Sequence, residues 1–253
     1  HRFAHQPNNH VKPGMTMDSI GSHIDRTQTW WSNGGTEWFK YLARGSYLLQ
    51  QGVPDADFLV HLGDIAPLRV GNANNTSVPD GFGYDYVNTD VLINRIRVEN
   101  GHLVLPEGTR YRALHLYKTQ YLHLRTLRKI KELVSDGATV IGDRPEKVIG
   151  LSEWPEKHEF DTIVDELWGN PSSSDRKVLH YGKGIISTYD LEGTIKVLGY
   201  EPDLFIDGKP AHAFAHRRID NNDLYYFYND EPSFKSVEID IREGDGVPEI
   251  WHA

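Results

Sequence analysis

Apolar side chains along the chain recur at two spacings, one that suits helices and one that suits strands. Trp38, Tyr41, Leu42, Tyr47, Leu48 and Leu49 fall at helical spacing, with Thr36 placed as an N-cap and Gly52 as a C-terminal cap. Asp57-Phe58-Leu59-Val60-His61-Leu62 is a short apolar run of the kind a buried strand carries, ending at Gly63-Asp64. Residues 71–83 are rich in Gly, Asn, Pro and Asp and predict a loop. Leu103-Val104-Leu105 and Ala113-Leu114-His115-Leu116-Tyr117 predict strands. Leu124, Leu127, Ile130, Leu133 and Val134 predict an amphipathic helix closed by Asp136-Gly137, and Thr139-Val140-Ile141-Gly142 another strand. Phe160, Ile163, Val164, Leu167 and Trp168 predict a further helix, Lys183 to Ser187 a strand, and Leu191 to Leu198 a short helix.

Strands and helices that alternate in this way imply a parallel sheet covered by helices. Residues 55–205 therefore read as a doubly wound, flavodoxin-like domain. Residues 206–253 change character. His212 to Arg217 and Leu224 to Tyr228 flank Asp220-Asn221-Asn222-Asp223, a strong hairpin signal. Val237-Glu238-Ile239-Asp240-Ile241 alternates as a half-buried strand does. Two or three strands are marginal alone. This β-rich segment reads as the start of a β-sandwich, with packing on the preceding domain the other option.

Composition narrows the partners. The 253 residues are 38% hydrophobic, enough for a sizeable core. The net charge of −9 argues against general binding to nucleic acid or to membrane surfaces, both polyanionic. With no cysteine, disulfides and thiol chemistry are excluded. There is no GxGxxG after the first strand of the middle domain, no Walker motif and no GxSxG elbow, so that domain gives no sign of nucleotide or cofactor use. The chain opens at His1-Arg2-Phe3-Ala4-His5, without an initiator Met or a signal-peptide pattern. The expectation is a start inside a longer reading frame.

The densest chemistry lies in residues 1–38. His5, Gln6, Asn8, Asn9, His10, His23, Asp25, Arg26 and Gln28 precede the pair Trp30-Trp31. Indole rings stack on the apolar faces of sugars, and amides, carboxylates and guanidinium groups pair with hydroxyls. So many polar groups in a core would each need a partner; a cleft wall suits them better. Either Trp could instead be a core residue beneath a long loop. His5, His10, His23 and Asp25 could also be zinc ligands, but no HExxH or similar compact motif supports zinc. A hard cation on scattered oxygens stays open. Asp64 ends a strand of the open sheet, where ligands gather, so it is a weak catalytic candidate; a loop-capping Asp is the other reading.

Three runs carry a resemblance: Phe3-Ala4-His5-Gln6-Pro7, Pro13-Gly14-Met15-Thr16-Met17 and Asp25-Arg26-Thr27-Gln28-Thr29-Trp30-Trp31. They resemble a block of the bacterial α-L-rhamnosidases of glycoside hydrolase family 106. Looser likeness continues through Tyr41 to Gly52, Gly83-Tyr84-Asp85-Tyr86-Val87-Asn88, Gly137-Ala138-Thr139-Val140, Pro202-Asp203, His216-Arg217 and Tyr226 to Asn229. The resemblance implies a (β/α)8-type catalytic barrel, then a glutamine-amidotransferase-like doubly wound domain, then β-sandwiches. By it, residues 1–54 are the end of the barrel, 55–205 the amidotransferase-like domain and 206–253 the start of a sandwich. It also implies inverting hydrolysis with paired carboxyl groups, calcium that holds the sugar, and principal glutamates upstream of His1. Where relatives often carry Gly-Glu-Asp, this chain departs with Gly63-Asp64-Ile65.

The expected function is thus part of an α-L-rhamnosidase-like glycosidase. It would act on terminal α-L-rhamnosides of plant or algal polysaccharides or glycosides, in the periplasm or outside a bacterium. His5, Gln6, His10, Asp25, Arg26, Trp30 and Trp31 are the expected sugar contacts. The isolated chain is expected to be inactive and to need the rest of its parent polypeptide, or to self-associate. A non-catalytic carbohydrate-binding or structural module and a β-galactosidase-like glycosidase are the alternatives.

Overall fold

The computed structural model describes residues 34–66, 78–117, 119–150, 155–169, 177–229, 233–242 and 246–251. The chain divides into two compact units, residues 1–51 with 248–253, and residues 52–247. In the first unit, helix α1 (Gly35–Leu48) starts on Gly34, whose left-handed backbone (φ 92°) forms the N-cap. Thr36 therefore lies inside the helix and does not cap it. Leu49 is the C-cap. Gly52 is required by close approach instead. A side chain there would meet Arg218 O at 2.0 Å, and its φ is +58°.

The second unit runs β1 (Val53–Asp55), β2 (Phe58–His61), β3 (Tyr84–Val87), α2 (Thr89–Arg95) and an excursion of three short strands. These are β4 (Arg97–Glu99), β5 (His102–Val104) and β6 (Arg110–Tyr111). It continues through β7 (Ala113–Leu116), β8 (Tyr121–Leu122), α3 (Leu124–Asp136), β9 (Thr139–Ile141), β10 (Lys147–Val148) and α4 (Lys157–Trp168). Then come β11 (Val178–Tyr181), β12 (Gly184–Ser187), α5 (Leu191–Leu198), β13 (Leu204–Ile206) and β14 (Lys209–Pro210). β15 (Phe214–Ile219), β16 (Asn222–Phe227) and β17 (Ile239–Ile241) close it.

The main sheet has six strands in the order β11-β12-β9-β7-β2-β3. β3, β2, β7, β9 and β12 are mutually parallel; only β11 is antiparallel. Chain order reverses between β2 and β7, as in flavodoxin-like sheets. The β2 run Phe58–His61 is buried along its whole length, as expected of a parallel strand covered on both faces. One face packs Leu59, Leu114 and Val140 against apolar residues of α3 and α4, among them Leu127, Ile130 and Val164. The other packs Phe58, Ala113 and Ile141 against Leu191 and Ile195 of α5.

The remaining strands form small separate sheets. The predicted hairpin forms: β15 pairs with β16 around Asp220-Asn221, and Asp220 sits at φ 54°. β1 adds to it, pairing Asp55 with His216. β13 pairs with β14 and β17. The expected half-burial of β17 does not occur. Ile239 and Ile241 are both exposed, because β17 is an edge strand with no layer over it among the described residues.

Candidate functional site

His5, Gln6, His10, Asp25, Arg26, Trp30 and Trp31 lie outside the described residues. Asp64 is described, just beyond the carboxyl end of β2, where β2 and β7 mark the reversal of chain order. Its carboxylate is fully occupied inside the protein. One oxygen accepts from Thr89 Oγ1, and the other accepts from the backbone N–H of His123 at 2.8 Å. It thereby ties the end of β2 to the first turns of α2 and α3. Asp64's side chain is only 1% exposed.

His61 shares this cluster, with Nε2 3.2 Å from Thr89 Oγ1 and 3.8 Å from Asp64 Oδ1. Burial lowers its pKa, against the opposing pull of Asp64. On β7, burial pushes His115 down to about 4, outweighing a backbone hydrogen bond at Ile141 and the charge of Asp143. Both histidines are thus neutral at physiological pH.

The amino-terminal end of the same sheet holds a denser charged cluster. Asp57, just before β2, accepts from Gly83 N–H at 3.1 Å. Its Oδ1 lies 2.9 Å from Arg242 Nη1 and 3.3 Å from Arg112 Nε. Burial still raises its pKa to about 6, over the two arginines that favour the anion. Arg242 also reaches Asp203, at 3.5 Å. Asp203 accepts from Tyr225 Oη at 2.9 Å and meets His216 Nδ1 at 2.8 Å. The other ring nitrogen of His216 lies 3.0 Å from Asp223, and the ring stacks on Tyr225 at 4.1 Å. Burial alone would raise Asp203, but His216, Arg242 and Tyr225 hold it below the usual carboxylate range. Burial alone would lower His216, but Asp203 and Asp223 hold it above the usual histidine range.

Sequence reasoning misses this cluster as a unit, although its parts fall in the looser blocks: Gly83, Pro202-Asp203 and His216-Arg217. Its members span residues 57–242, so no local spacing could reveal it. Chemically it is a fastener, joining β2 and β7 to β13, β17 and the hairpin. Among the described residues no group of three or more His, Asp or Glu could hold a metal ion. No helix among them is long and apolar enough to cross a membrane.

Comparison with known proteins agrees with the motif blocks. All 253 residues match the glycoside hydrolase family 106 description, α-L-rhamnosidase. A protein of Formosa agariphila named "Putative beta-glucuronidase" is 30% identical over 262 residues, covering 100% of this chain and 21% of that protein. The solved structure of a rhamnosidase from Novosphingobium sp. PP1Y superposes with a TM-score of 0.76 at 30% identity, covering 88% of this chain and 22% of that one. The chain thus spans about a fifth of the length of these relatives.

Proposed function

The chain belongs to the glycoside hydrolase family 106 α-L-rhamnosidases, and from that premise we propose that it is one segment of a larger glycosidase that releases terminal α-L-rhamnose. The observation that carries this reading is the family match along all of residues 1–253. The rhamnosidase superposition adds the likeness of fold.

In this reading residues 1–54 complete a (β/α)8-type barrel, and His5, Gln6, His10, Asp25, Arg26, Trp30 and Trp31 line or brace its sugar subsite. Active sites of such barrels lie at the carboxyl ends of the strands. Residues 55–205 are an amidotransferase-like accessory domain, and residues 206–253 lead into a sandwich. Exposed Phe234, Val247, Ile250 and Trp251 are apolar surface for the rest of the parent to cover. Hydrolysis proceeds with inversion: one carboxylic acid protonates the leaving oxygen and a carboxylate about 6.5–9.5 Å away activates water. Those carboxyl groups come from elsewhere in the parent, as does most of any calcium site that holds the sugar. The substrates are rhamnosides of plant or algal origin, met in the periplasm or outside the cell.

A second reading is favoured by one observation, the name of the Formosa relative. It makes the substrate a β-glucuronide. A panel of nitrophenyl glycosides offered to the full parent protein separates the two. Preferred cleavage of the α-L-rhamnoside supports the first reading; preferred cleavage of the β-glucuronide replaces it. The isolated chain should cleave neither.

A further inference from the structure

His216 has a carboxylate on each ring nitrogen: Asp203 Oδ2 is 2.8 Å from Nδ1, and Asp223 Oδ1 is 3.0 Å from Nε2. An ionised carboxylate only accepts hydrogen bonds, and a neutral imidazole carries a single N–H. Both contacts become hydrogen bonds only when the ring carries both protons. The residue is 4% exposed, while the Asp223 side chain is partly exposed. The three residues come from different elements. Asp203 leads into β13, His216 is central in β15, and Asp223 lies on β16.

We propose that His216 is a protonation latch: as an imidazolium it pins the β15–β16 hairpin to the entry of β13, and release of its proton to solvent at alkaline pH frees the hairpin. After that release, one nitrogen lone pair faces a carboxylate oxygen, a repulsive contact in a buried site.

The groups that face the ring set the sign. β1 brings Asp55, paired with His216 in register and held by Arg218 at 2.7 Å. β16 brings Asp223 and the stacked Tyr225. The entry of β13 brings Asp203, and beyond β17 Arg242 links Asp203 to Asp57. Arg112 closes the far side of Asp57. Asp203 and Asp223 thus touch the ring directly, and Arg218 and Arg242 pair with the anions beside it. The hydrogen bonds and charges of Asp203, Asp223 and Asp55 accordingly keep the ring charged above the usual histidine range despite burial. The folded state binds this proton more tightly than the unfolded chain does. Its stabilising share is therefore complete below the ordinary histidine pKa and disappears as pH rises through the raised one. The latch lies wholly within residues 52–247 and would operate whichever glycoside the parent cleaves.

The test is nitrogen-15 NMR of the histidine rings in the 253-residue chain, with amide hydrogen exchange of residues 214–227 followed from pH 6 to 10. A His216→Gln variant identifies the resonance by its loss. Both ring nitrogens should be protonated at pH 7, with a midpoint above that of a free histidine. Hairpin protection, corrected for intrinsic exchange, should fall as that midpoint is passed. In Asp223→Asn, a change at a partly exposed position, the midpoint and the loss of protection should move down together. In His216→Gln protection should no longer follow pH. A neutral ring at pH 7, with the proton on a carboxyl group instead, overturns the proposal. So does hairpin protection that ignores the titration.

Discussion

The carboxyl end of the parallel sheet and the hairpin fastened near its amino end each bury histidine, and they treat it in opposite ways. At the carboxyl end His115 on β7 is 6% exposed, and burial drives its pKa down to about 4. At the amino end His216 is just as deeply buried, yet its two carboxylates hold it charged. Burial sets the penalty for a charge, and the neighbours decide whether it is met. The carboxyl end is neutral at its histidines; the amino end is a web of ions.

That contrast is broken most strongly at Asp203, which is 2% exposed and touches His216, Tyr225 and Arg242. Removing one partner from a buried ionic web costs about 3–5 kcal/mol. Asp203→Ala should lower the urea stability of the chain by that much at pH 7. A loss under about 1 kcal/mol would mean that water reaches the web. Leu114→Ala, on the fully buried β7, should cost about 2–5 kcal/mol through a cavity. Its cost should be the same at pH 6 and pH 9, whereas that of Asp203→Ala should shrink as His216 loses its proton.

Acid titration sharpens the same comparison. His115 has a folded pKa below its unfolded value, so its share of stability is present above about pH 6.5 and is lost as pH falls toward 4. That share is on the order of 3 kcal/mol. Asp57, raised to about 6, works the other way: its contribution favours the fold at acid pH and declines as pH rises from 3.8 to about 6. The two oppose each other in one window, so the His115 share is read as the difference between the unsubstituted 253-residue chain and His115→Gln. That difference should narrow toward pH 4; a constant gap would mean the ring is charged or solvated. The smallest effect belongs to Asn88, whose side chain caps α2 through Val91 N–H at 2.9 Å. Asn88→Ala should cost about 1 kcal/mol at every pH from 5 to 9, seen as a shift in urea midpoint.

The main sheet and its helices are legible in the sequence. Apolar runs at β2, β7, β9 and β12 are long enough to be seen, and α3, α4 and α5 keep a clean helical stripe. β3, with its alternating Tyr84-Asp85-Tyr86-Val87, and α2, only seven residues long, do not stand out. The short strands β4, β6, β8 and β10 have two or three residues each, too few for any period. Thr36 has the chemistry of a cap, but the helix begins one residue earlier, behind a left-handed glycine. Asp64 is visible as a residue at a strand end; its two internal partners, Thr89 and His123, lie 25 and 59 residues away and are not. The ionic web is illegible for the same reason. The sugar-contact candidates rest on residue types and motif blocks in residues 1–38, with their geometry outside the described residues.

The proposed function turns on rhamnoside cleavage by the larger parent protein that the reading implies. Proton NMR of an aryl α-L-rhamnoside mixed with that parent follows the sugar's anomeric signal as it is released. An inverting rhamnosidase yields β-L-rhamnose as the first product, converting to the equilibrium mixture only afterwards. Release of the α-anomer first would contradict inversion, and an intact rhamnoside beside a cleaved β-glucuronide would contradict the assignment itself.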